Sequence, residues 1–154
     1  MQSSDNILIL TVLHVMNQAG KKINEVAEQL LSEVNTVYSK TGKLSDELLS
    51  ALNFVFQAPL LPALDIIDHR NVTTISCPSG RKVYQVLGTS GTPYICLLSS
   101  TYCSCPAYRY SVLLKDDHIM CKHVLAIKLA EAMNLSKSQQ VSDQEMTNLI
   151  KNLE

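Results

Sequence analysis

The chain has 154 residues, 46% of them hydrophobic and 18% charged, which excludes a disordered polypeptide and suits one compact domain or a small domain with an appendage. A net charge of -1 and a pI near 6.4 exclude the strongly basic balance of a stand-alone nucleic-acid binder, so any DNA contact is expected to be local or shared with a partner. The five cysteines are an odd number and Met1 to Asp5 lacks the positive start of a secretory signal. A reducing compartment is expected, where clustered cysteines more often signify metal than disulfide.

Residues 7–16 are nearly all apolar, from Ile7 to Met16, but Thr11 and His14 interrupt them and the run is far short of a membrane span. No helical stripe stands out, so a strand and a fully buried helix both fit. After Gly20, a helix is predicted from Asn24, which can cap it, to Gly42. Its stripe is Val26, Leu30, Val34 and Val37, widened by Leu31 and Tyr38. A second helix is predicted from about Ser45 to Phe56, with Leu48, Leu49, Leu52, Val55 and Phe56 on one side. A third, about Pro59 to His69, is apolar almost all round, as suits a helix buried between other elements or one that meets a partner.

The pattern then changes from helical spacing to alternation. Val72 to Ile75 reads as a β-branched strand, Pro78-Ser79-Gly80 as a turn and Lys82 to Leu87 as a second strand. Thr89 to Pro93 is another turn, and Tyr94 to Ser99 a third strand, giving an antiparallel meander that leads into Cys103. Val124 to Met133 reads as a helix, Ser136 to Val141 as polar and loose. Ser142-Asp143-Gln144-Glu145 has the capping-box pattern, so a last helix is expected through Leu153. The expected fold class is α+β. An N-terminal helical region spans 1–70, the β-meander with the cysteine motif 71–135, and a C-terminal helix 136–154.

Between Cys103 and His123 lie Cys103-Ser104-Cys105, then fifteen residues, then Cys121-Lys122-His123. Three thiols and an imidazole in two tight pairs match the four nitrogen or sulfur corners of a closed structural zinc site. Residues i and i+2 project to one side of an extended strand, so Cys103 and Cys105 can chelate from a strand end, with Pro106 closing the pair. In a helix the same spacing points ~200° apart, so Cys121 is expected just before the helix and His123 in its first turn. The helix N-terminus, with Lys122 beside it, offsets the net charge of about -1 on a zinc ion with three thiolates. Cys96 alternates with Tyr94 and Leu98 and reads as a small core residue, Cys77 as a turn residue without a visible partner. His118, beside Asp116 and Asp117, reads as a solvated loop residue; a shifted register would make it a ligand instead. His14 and His69 read as structural or surface residues.

The C-x-C and C-x-H pairs, preceded by a meander and followed by a helix, resemble the SWIM-type zinc finger. The likeness extends through Ser79 to Gly88 and Tyr102 to Ala107, covers roughly residues 25–150, and is to the SWIM subunits of Shu-type complexes. It implies a zinc-clamped ββα finger, pairing with a RecA-like paralogue for which the SWIM motif is needed, support of a recombinase filament on single-stranded DNA in homologous recombination, and nuclear location.

Three function classes follow. A non-catalytic zinc-stabilised subunit that holds a RecA-like partner is favoured by the long apolar segments at 7–16 and 60–67, one of them more apolar than a lone domain of this size needs; the alternative is that both are core. Direct nucleic-acid binding would use Tyr108, Arg109 and Lys115, with Tyr102, Tyr110, Arg81, Lys82 and Lys122 nearby; Asp116, Asp117 and the overall charge count against it. Catalysis is disfavoured, because four ligands leave no place for a reactive water and no Glu adjoins the metal pairs as a base. Gly88-Thr89-Ser90-Gly91 is a hairpin turn, not a phosphate-binding loop, so any ATP chemistry belongs to the partner.

Overall fold

The computed structural model describes residues 7–10, 23–88, 90–109, 112 and 119–153. Residues 7–10 are helical, with Leu8 packed against the main core; the rest of the 7–16 run lies outside the described residues. Helix α1 spans Ile23–Thr41 and buries Val26, Ala27, Leu30, Leu31 and Val34, the expected stripe. Asn24 lies inside its first turn, so the cap expected there is not used. Gly42 ends it in the left-handed region (φ 70°), a conformation without steric cost only for glycine. Helix α2 spans Asp46–Phe56, with Ser45 as N-cap accepting from Leu48 N–H at 3.2 Å.

Helix α3 spans Leu60–Asp68. It buries Leu60, Ala63, Ile66 and Ile67 while Leu61 stays 73% exposed, so it is one-sided rather than enclosed. The enclosed helix is α4, Lys122–Met133, where Val124, Leu125, Ala126, Ile127, Leu129 and Ala130 are all fully buried. It packs against α1 and α3 on one side and the sheet on the other.

The strands are β1 Val72–Ser76, β2 Lys82–Leu87, β3 Pro93–Leu97, β4 Tyr102–Cys103 and β5 Lys137–Gln140. They form one sheet in the order β4-β3-β2-β1-β5. The first four pair antiparallel as a meander and β5 joins β1 in parallel, so the sheet is mixed. Two sequence expectations change here. Residues 136–141 are not loose: all four β5 residues are exposed, and a polar edge strand lacks the alternation that marks a half-buried one. The third strand stops at Leu97, because Leu98–Ser100 winds into a 3-10 turn before β4.

Alternation divides the sheet between two cores. Val72, Tyr84, Val86, Cys96 and Cys103 join α4 and the helical layer in the larger core. Ile75, Cys77 and Val83 face away and pack, with Ile95 and Leu97, against Met146, Leu149 and Ile150. Those last three belong to helix α5, Asp143–Lys151, which starts in a complete capping box between Ser142 and Glu145.

Candidate metal centre

Each of the four donors is placed by the fold. Cys103 ends β4, opposite Cys96 of β3, and faces α4. Cys105 follows two residues later, where the chain leaves the sheet; residues 106–109 are helical and Tyr108 N–H donates to Cys105 Sγ at 3.3 Å. Cys121 is the N-cap of α4, its sulfur accepting from Val124 N–H at 3.5 Å, and His123 lies in the first turn as the spacing required. Two of the three sulfurs therefore accept a backbone N–H, the kind of outer contact that orients metal thiolates.

The four ligand atoms lie within 4.8 Å of one another and all four residues are buried. His123 Nδ1 is 3.7 Å from Cys103 Sγ. With Zn–S near 2.3 Å and Zn–N near 2.0–2.1 Å at tetrahedral angles, S···N edges come to about 3.6 Å and S···S edges to about 3.8 Å. The observed edge fits that figure. His123 is the one buried polar side chain of the core among the described residues, and its Nε2 has no hydrogen-bond partner there. An unsatisfied buried polar atom costs about 1–3 kcal/mol, and zinc held on Nδ1 leaves Nε2 without a partner, so the fit to a metal rests on the Nδ1 edge and not on Nε2. Its ring rests on Tyr94 at 4.5 Å between centroids. Tyr94 in turn crosses Gly88, where an added Cβ would come within 3.1 Å of Cε2. Gly88 and Tyr94, read from sequence only as strand and turn residues, thus hold the imidazole in place.

The thiols also fit a cation. Hydrogen bonds first from Cys103 and then from Cys121 hold the Cys105 thiol far below the ordinary range. The bond to Cys105 pushes Cys103 far up, and the bond to Cys103 does the same to Cys121. The cluster by itself tolerates one thiolate; three together require positive charge between them. Among the described residues no carboxylate belongs to the group.

Other candidate residues lie apart from this cluster. Tyr102 donates its hydroxyl to Leu153 O at 3.0 Å and meets Tyr108 edge-on at 5.4 Å, so both rings serve packing. Arg109 is exposed. Arg81 is tied down by Asp143 O at 2.9 Å and Thr147 Oγ1 at 3.1 Å. Cys77, expected to lack a partner, is buried with Sγ 3.2 Å from Ser79 Oγ. His69 is on the surface, its Nδ1 2.8 Å from Asp65 O. His14, Tyr110, Lys115 and His118 lie outside the described residues.

Residues 85–132 match the SWIM zinc finger family. The chain is 48% identical over 131 residues to zinc finger SWIM domain-containing protein 7 of Danio rerio, covering 85% of this chain and 94% of that protein. The Mus musculus protein of that name is 49% identical over 126 residues (82% of this chain, 83% of the relative). The Homo sapiens protein is 46% identical over 125 residues (81% and 89%). No solved structure matches the chain. With these relatives matched over most of their length and the four donors gathered inside the matched segment, the chain belongs to the family of zinc finger SWIM domain-containing protein 7.

Proposed function

We propose that this protein is the zinc-binding, non-catalytic subunit of a Shu-type complex. It pairs with a RecA-like paralogue, and the pair supports recombinase filaments on single-stranded DNA during homologous recombination in the nucleus. The observation that carries the reading is the buried group Cys103, Cys105, Cys121 and His123, four metal donors gathered within a chain of this family. Zinc bound there supplies a fixed cross-link and no reactive position. The chain's own residues do the rest: Cys121 caps α4, Tyr94 orients His123, and β4 is drawn onto the first turn of α4. The recombination role rests on the resemblance of Cys103–His123 and its flanks to SWIM subunits of Shu-type complexes.

The partner reading draws support from the outer helices. Phe54 of α2 is 49% exposed and Leu61 of α3 is 73% exposed, in helices whose other faces fill the core. Large side chains of this kind are common anchors of protein interfaces. Direct DNA binding by this chain has less support, since Tyr102, Tyr108 and Arg81 are occupied within the fold. Co-expression with a RecA-like paralogue, followed by metal analysis of the purified complex, tests the proposal. Co-purification with one zinc per chain is expected. A stable, zinc-loaded monomer that ignores such partners would overturn the pairing, and tight salt-dependent binding of single strands by the isolated chain would favour the DNA reading.

A further inference from the structure

Cys96 is a buried nucleophile that the zinc reading leaves unused. It sits fully enclosed on β3, directly opposite Cys103 in the antiparallel register, and both face the α4 side of the sheet. A small core residue explains the volume but not the sulfur, since alanine or valine fills a strand position without placing a fourth thiol against a metal ligand.

We propose that Cys96 and Cys103 form an oxidative modification site, a cross-strand disulfide whose formation removes one zinc ligand and opens the centre. The inference rests on the zinc reading for its consequence, while the disulfide itself stands on the strand geometry. Directly opposed residues of an antiparallel pair have Cα atoms about 4.5–5.5 Å apart, inside the window of about 4.4–6.8 Å that a disulfide spans without backbone movement. The competing pair, Cys103 with Cys105, straddles the bend at Ser104 and Cys105 where the chain leaves the sheet, so no strand register sets those two residues opposite each other. The register therefore favours Cys96 as the stable partner of Cys103.

Entry for a small oxidant is on the other side of the cluster. A pocket of 260 Å³ is lined by Gly88, Ser90, Tyr94, Cys105, Pro106, Ala107, Lys122 and His123, so Cys105 is the sulfur that a peroxide meets first. Its thiolate attacks one peroxide oxygen, and the other leaves as water once protonated, giving a sulfenic acid on Cys105. Cys103 sulfur attacks the Cys105 sulfur and the hydroxyl leaves as a second water, forming a transient disulfide. Cys96, losing its proton to solvent, attacks Cys103 sulfur and expels the Cys105 thiolate, which takes up a proton. In balance, two thiols become one disulfide and one hydrogen peroxide becomes two waters. Zinc loses Cys103 and is released, and β4 is no longer drawn to the start of α4.

The test uses the full chain, with its partner if the two co-purify, treated with hydrogen peroxide. Zinc release is followed with a chromogenic chelator, and disulfides are mapped by mass spectrometry after non-reducing digestion. A Cys96–Cys103 cross-linked peptide is expected, together with loss of the bound zinc that dithiothreitol and added zinc reverse. In Cys96→Ala and Cys96→Ser the cross-link is lost, and reducible zinc release falls with it. A Cys103–Cys105 cross-link as the sole stable product, or equal reversible release from wild type and both variants, would overturn the proposal. Should the untreated protein carry no zinc, the metal reading fails on that count alone, and the peptide map still decides the disulfide. If neither variant folds, the wild-type map decides.

Discussion

On one face of the sheet, α4 is enclosed by α1, α3 and four strands, and its first turn meets Cys103, Cys105, Cys121 and His123. On the other face, α5 lies on a smaller core with Met146 as its one buried residue, tied by a capping box, by Arg81 to Asp143 and Thr147, and by Tyr102 to Leu153. Both faces put one helix on alternating strand residues. They differ in what closes them: a metal set in the interior on one side, backbone caps and peripheral hydrogen bonds on the other. Zinc bound to the four donors would add to the first face a cross-link whose binding energy is folding energy. The second face depends on many small terms, each worth about 1 kcal/mol or little more.

The largest expected effect is removal of a donor. His123→Ala or Cys105→Ala should abolish zinc retention and expose α4 and β4 to amide exchange, while α5 amides keep much of their protection. Hydrogen-exchange mass spectrometry with metal analysis checks this, and equal loss of protection on both faces would break the comparison. Next comes Leu125→Ala in α4, where the side chain is fully buried. A cost of about 2–5 kcal/mol is expected, read as a lower denaturant midpoint of the zinc-loaded protein. Met146→Ala on the α5 face should cost about 2 kcal/mol, near the low end for such truncations, with zinc content unchanged. Ser142→Ala removes the hydroxyl that caps Glu145 N–H at 3.1 Å and should cost about 1 kcal/mol by the same measurement. Smallest in stability is Leu61→Arg at an exposed position, within about 0.5 kcal/mol. It should nevertheless weaken co-purification with a RecA-like partner if α3 presents the contact.

Much of the centre is legible in the sequence because its rules are local. The i, i+2 spacing places Cys121 at a cap and His123 in the first turn, and alternation turns Cys103 toward the core. The capping box at Ser142 is equally local, and the structure has it in full. What the sequence obscures depends on distant neighbours. Strand β5 has only Lys137, Ser138, Gln139 and Gln140, and becomes a strand because β1 offers it an edge. The third helix looks uniformly apolar, but enclosure falls to α4, whose surroundings come from residues 26–67 and 72–103 rather than from its own pattern. Tyr94 and Gly88 act on His123 through a contact some thirty residues apart in the chain. No spacing rule relates such residues.

The central claim is that zinc is held by three sulfurs and one imidazole in a closed set. Zinc-edge X-ray absorption on the purified protein tests it most directly. The predicted first shell has three sulfurs at about 2.3 Å and one nitrogen at about 2.0–2.1 Å, and this zinc signal should be lost in Cys105→Ala and in His123→Ala. A wild-type shell containing an exchangeable oxygen, or a spectrum unchanged by either substitution, would contradict it.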